Sequence, residues 1–92
     1  MSRKSNNHDD DIDKALKSND IDKIYFNEFA IGMSNNDMFI LLRCNGREEA
    51  FLNLSHITAK SLALALSKSI SNFEEKTNQI IRVSDDNDES HE

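Results

Sequence analysis

Proline is absent from the 92 residues, cysteine appears once and glycine only twice. Without proline, changes of chain direction fall to asparagine, aspartate, serine and the glycines. One cysteine excludes an internal disulfide framework, which needs pairs, and fits a reducing compartment. No run approaches the roughly 18 consecutive apolar residues of a membrane span. The start, MSRKSNNHDDDID, lacks the apolar core of a secretory signal. The chain therefore reads as cytoplasmic, with no membrane partner. Nor can a Gly-rich phosphate loop, a pair of catalytic carboxylates on rigid elements or a nucleophilic triad be assembled from it. No enzymatic activity and no cofactor are expected.

Basic residues are also scarce. Eleven stand against seventeen acidic ones, a formal net charge of -6. The lysines and arginines, among them Lys14, Lys23, Arg43, Lys60 and Lys68, are scattered among acids rather than gathered into a patch. Phosphate backbones and anionic membranes repel such a surface, so nucleic acid is not an expected partner. An acidic surface that occupies a basic groove on another protein is electrostatically allowed.

What is present divides the chain in three. Residues 1–22 form a polar arm with a weak helical pattern around Ile12, Leu16 and Ile21, read as flexible with one or two frayed turns. Residues 84–92, SDDNDESHE, form an acidic tail without an apolar side chain. Residues 23–83 must supply the fold, and the pattern predicts a β-β-β-α domain.

A first strand is expected over KIYFNEFAIGM, Lys23 to Met33, closed by the turn-forming Ser34-Asn35-Asn36-Asp37. A second, MFILLRC, ends at Asn45-Gly46, the pair favoured by a type I′ hairpin. A third, REEAFLNL, follows. A two-residue loop sets Phe39 opposite Leu52 on one face, and Ile40 opposite Phe51 and Met38 opposite Asn53 on the other. Both faces then carry large apolar side chains, where a sheet with one wet face would alternate.

Ser55 is a favourable N-cap. Beyond it the period changes to 3.6, with Ala59, Leu62, Ala63, Leu66, Ile70 and Phe73 on one stripe. The helix is expected from His56 to about Arg82, although IIRV, residues 80–83, could equally be a short fourth strand. Ile57 and Leu64 lie nearly opposite Leu66 and form a second, narrower apolar line. The fold class is thus α+β: a three-stranded antiparallel meander with an Asn-Gly hairpin, followed by one long helix packed on one sheet face.

One helix covers one face. The other, with Met38, Ile40 and Phe51, would meet water in a lone copy, and domains of this size often gain burial by oligomerising. A homo-oligomer, dimer or higher, is expected. Met38, Ile40, Phe51, Ile57 and Leu64 are its candidate interface residues.

The residues resemble the domain-of-unknown-function family 3467 of small bacterial and phage proteins. The matching residues are Tyr25, Asn27, Phe29 and Ser34 around the first strand. In the helix they are Ser55, Thr58, Ala59, Lys60, Leu62, Ala65, Leu66, Phe73 and Glu74. His56 stands where the family has a helix-opening proline, a modest loss, and Leu64 where it is commonly polar. The resemblance implies the fold and brings no catalytic residue.

Candidate chemistry is thin. His8 with Asp9, Asp10 and Asp11 offers metal ligands without a rigid support, so it reads as a solvated charge run and no metal is expected. Cys44 has no neighbouring histidine and reads as a small apolar residue. Ser55 and His56, with the free N–H groups of the helix start, could receive an anion. Tyr25 and Asn27, two apart on one strand face, either form a small polar pocket between subunits, with Tyr25 stacking on a ligand, or spend Asn27 on a neighbouring backbone or a subunit interface.

The functional expectation is a non-enzymatic oligomeric interaction protein, a regulator or inhibitor that binds another protein. Two alternatives stay open. One is an oligomer holding a small molecule or nucleotide at its subunit interface. The other is an acidic nucleic-acid mimic.

Overall fold

A computed structural model describes residues 3–83. Its elements in chain order are α1 (Arg3–Lys17), β1 (Glu28–Met33), β2 (Asp37–Cys44), β3 (Arg47–Ser55) and α2 (His56–Thr77). The strands form one sheet in the order β1-β2-β3, which leaves β1 and β3 as its edges. The fold is therefore α+β, with a three-stranded antiparallel sheet followed by a helix. The chain gathers into two compact units. One holds α1 and most of the sheet, and the other holds α2 and the tip of the β1–β2 hairpin, Met33–Met38.

Within the arm, where one or two frayed turns or a short helix were expected, α1 is a 15-residue helix. An ion pair at i,i+4 joins Lys17 Nζ to Asp13 Oδ2 at 3.1 Å. Past the helix, Lys23 Nζ donates to the carbonyls of Ser18 and Ile21 and holds the connecting turn. The acidic tail, residues 84–92, lies outside the described residues.

β1 begins at Glu28, five residues later than expected from Lys23. The aromatic and β-branched content of Lys23–Phe26 favours a strand, but Asn27 marks a bend instead and its side chain is spent elsewhere. The β2–β3 turn is as its sequence demands. Asn45 has φ 52° and Gly46 φ 86°, both positive as a type I′ turn requires.

Farther along the hairpin the expected register does not hold. The rings of Phe39 and Phe51 stack with centroids 5.7 Å apart and planes at 22°. Side chains on opposite faces of a sheet cannot stack, so Phe51 shares the face of Phe39 rather than that of Ile40. That implies a one-residue step in the pairing between the turn and the aromatic pair. Burial along β3 does not alternate residue by residue. A slip of one residue exchanges the faces of every residue beyond it, and nothing in a run such as AFLNL announces it.

α2 starts where Ser55 predicts. The Ser55 hydroxyl accepts from the Thr58 N–H at 3.0 Å, and no residue of the helix precedes this cap. Its end differs: the helix stops at Thr77, and residues 79–83 form neither helix nor strand. Asn78 takes the left-handed conformation, φ 58°, and its N–H bonds back to the Glu74 carbonyl. Gln79 N donates to the same oxygen, and Ile81 N donates to Glu74 Oε2 at 2.8 Å. Asparagine tolerates this conformation and closes helices much as glycine does. The apolar character of Ile80 and Ile81 hides that stop from a reading by periodicity.

No residue of α2 is buried. Among the described residues Leu42, 5% exposed, is the one buried hydrophobic side chain.

Candidate interaction surfaces

The side chains proposed for ligand binding divide between the two units. In the first, Asn27 is committed to the β2–β3 turn: its Nδ2 donates to Asn45 Oδ1 at 3.0 Å, and its Oδ1 accepts from Asn45 N at 3.1 Å. Glu28 Oε1 accepts from Gly46 N at 3.0 Å, and Asn27 N donates to the Arg43 carbonyl. Asn27, just ahead of β1, and Glu28, its first residue, thereby satisfy the N–H groups of both residues of the type I′ turn. Asn27 is a turn clamp, the structural one of the two roles open to it. Tyr25 stands 76% exposed outside the strand, so the shared strand face on which a Tyr25–Asn27 pocket depended is not there.

In the second unit the helix start is equally occupied. Ser55 Oγ serves the Thr58 N–H and also donates to Thr58 Oγ1 at 3.0 Å. His56 Nε2 lies 3.0 Å from the Ser34 carbonyl. A carbonyl only accepts, so Nε2 carries the hydrogen. Ser34 in turn closes the hairpin tip, its Oγ accepting from Asn36 N and Asp37 N. The partner of His56 lies 22 residues away and could not be read from the helix. The signal that existed was Ser34 opening a Ser-Asn-Asn-Asp turn.

Two shallow cavities remain. One, of about 280 Å³, is lined by Met33, Met38, His56, Ala59, Lys60 and Ala63. The other, of about 310 Å³, lies on the aromatic face of the sheet between Ala30, Gly32, Phe39, Leu41 and Phe51. The second owes its floor to Gly32, where an added Cβ would already touch the Phe39 ring at 3.8 Å. Phe39 was not among the expected interface residues, because the predicted register placed it opposite Leu52.

The surface is otherwise defined by apolar side chains in contact with water. Of the expected interface residues, Met38 and Ile40 are half-buried, and Phe51 is exposed on the other face from them. Ile57 and Leu64, the narrow line of α2, are 83% and 63% exposed. The main stripe is open as well, with Leu62, Leu66, Ile70 and Phe73 all exposed. Isolated exposed leucines are ordinary. Contiguous apolar areas are not, and they mark interaction surfaces.

Cys44 is a free, half-buried thiol. Among the described residues no group of three or more His, Cys, Asp or Glu side chains is placed to hold a metal ion, and the His8 side chain lies outside them. No helix among them is long and apolar enough to cross a membrane. No family model, curated protein or solved structure matches the chain.

Proposed function

We propose that the chain is a non-enzymatic interaction protein that works as a homo-oligomer and regulates or inhibits another protein by binding it. The observation that carries this reading is the imbalance of apolar surface. Twenty large hydrophobic side chains are exposed among the described residues, against one that is buried. Both the sheet and α2 contribute apolar side chains to this imbalance. Burial at roughly 25 cal/mol per Å² is the dominant favourable term in folding. A chain that leaves so much of it unused as a single copy gains most by association.

The resemblance to the domain-of-unknown-function family 3467 supports the same fold, and we propose membership on the residues from Tyr25 to Glu74 named above. It assigns no activity.

Sedimentation velocity at micromolar concentration tests the assembly: a dimer or larger particle is expected. A well-folded single particle of 10.5 kDa overturns the reading. The cavity beside Met33 and Lys60 favours a second reading, an oligomer that holds a small molecule. Native mass spectrometry separates the two, because a stoichiometric co-purified compound supports the cavity and not the protein-binding role.

A further inference from the structure

We propose that α2 is the seat of a second copy of this chain, paired with it antiparallel about a two-fold axis through Leu66. The inference rests on the homo-oligomeric reading above and names its geometry.

Ala63 apart, whose mirror position about Leu66 is the equally small Ser69, the stripe of α2 is symmetric along the sequence. Ala59, Leu62, Leu66, Ile70 and Phe73 are separated by three, four, four and three residues. Reversing the helix about Leu66 therefore lays the stripe on itself. A two-fold interface uses the same patch on both subunits, so the patch must be complementary to its own reverse. This one is: Leu66 meets Leu66, Leu62 meets Ile70, and small Ala59 meets large Phe73. Matching small with large across facing positions is what lets side chains interdigitate without voids. Parallel pairing would instead set Phe73 on Phe73 and Ala59 on Ala59, crowding one end and emptying the other.

The flanking charges agree with the antiparallel sense. Lys60 and Glu74 lie on the same flank of the stripe, six residues before Leu66 and eight after it. At about 1.5 Å rise per residue, reversal brings Lys60 to within about 3 Å along the axis of Glu74 of the partner subunit. The pair occurs twice by symmetry. Ile81 N occupies one oxygen of Glu74, Oε2, and leaves the other for the lysine.

The Ile57 and Leu64 line, on the opposite side of α2, stays free in such a pair and is available to a further partner.

Cysteine crosslinking with Cys44 replaced by serine tests the proposal in the full chain. Leu66→Cys alone is expected to form a disulfide-linked dimer under mild oxidation. Leu62→Cys alone is not, because two copies of position 62 are separated by eight residues, about 12 Å along the axis, beyond the roughly 7 Å reach of a disulfide. Ile70→Cys alone behaves likewise, and a mixture of the Leu62→Cys and Ile70→Cys chains crosslinks. Self-linking at position 62 overturns the antiparallel sense. Linking at Leu64→Cys as fast as at Leu66→Cys overturns the choice of stripe. If sedimentation shows a dimer and none of the stripe positions links, this geometry fails while the oligomeric reading stands. A monomer in sedimentation removes both.

Discussion

The β2–β3 turn and the α2 stripe are opposite cases in one small chain. At the turn, Asn45 and Gly46 take positive φ, and Asn27 and Glu28 supply acceptors for both turn N–H groups. Every partner it needs lies in the same unit. Along α2, the backbone is just as complete, capped by Ser55 at one end and by Asn78 at the other. Leu62, Leu66, Ile70 and Phe73 along it are nevertheless exposed. Polar groups are satisfied by short-range, directional bonds that a single copy can make. Apolar burial is non-directional and scales with area, and a chain of this length has too little interior to supply it. The comparison separates what this chain does alone from what, in the proposed assembly, a second copy supplies.

The strongest way to break the comparison is to make the stripe polar. Leu66→Asp places a carboxylate at the centre of the proposed pair, where symmetry sets two like charges against each other in an apolar contact. The dimer dissociation constant is expected to rise at least about a hundredfold, about 2.7 kcal/mol, read by sedimentation equilibrium. Leu64→Asp, on the other side of the helix, is the control and should leave the constant within about threefold. Equal effects at the two positions would mean that α2 associates through neither face in particular.

The turn is sharpened by Asn27→Ala. Two hydrogen bonds to Asn45 are lost at an exposed site where water replaces them in part, so the expected cost is about 1–2 kcal/mol. At about 4–8 °C per kcal/mol for a domain of this size, thermal unfolding at fixed protein concentration measures it. Dissociation should not change. A mutation that weakened the dimer as much as the fold would show that the turn and the interface are not independent.

Such local devices were what the sequence displayed most clearly. Asn45-Gly46 and Ser55 each carry a conformational preference of their own, and each stands where that preference places it. Both faces of the sheet being apolar was likewise legible, since it follows from composition within a strand. The register step in the β2–β3 hairpin was not, because either pairing buries comparable side chains. The end of α2 had a signal, Asn78, that the apolar pair after it concealed. Tyr25 was misplaced because strand propensity reports a fit to a half-buried surface, and ahead of Asn27 no such surface forms. For the candidate site, residue types were readable and partners were not: the carbonyl that His56 meets belongs to Ser34, in a turn with no sequence link to the helix.

Ser55→Ala removes the hydroxyl that holds the Thr58 N–H and should cost about 1 kcal/mol, seen as a few degrees in the midpoint of unfolding. Ser55→Gly, which loses the bond but keeps the favourable backbone conformation, should cost only a few tenths. Equal losses for the two would mean that the hydroxyl matters for its contact with Thr58 Oγ1 rather than as a cap.

The smallest effect is the one that reports orientation. Lys60→Glu turns each proposed Lys60–Glu74 contact between subunits into a repulsion at an exposed rim. Exposed ion pairs are worth about 0.2–1 kcal/mol, so the dissociation constant should rise by about two- to fivefold in low salt and return to the wild-type value near 1 M, where the Debye length falls to about 3 Å. A parallel pair predicts no such loss. There the flank that carries Lys60 lies against the partner's other flank, where Thr58, Ser61 and Ala65 hold no charge at that level, so replacing the lysine with glutamate leaves both the affinity and its salt dependence at the wild-type values.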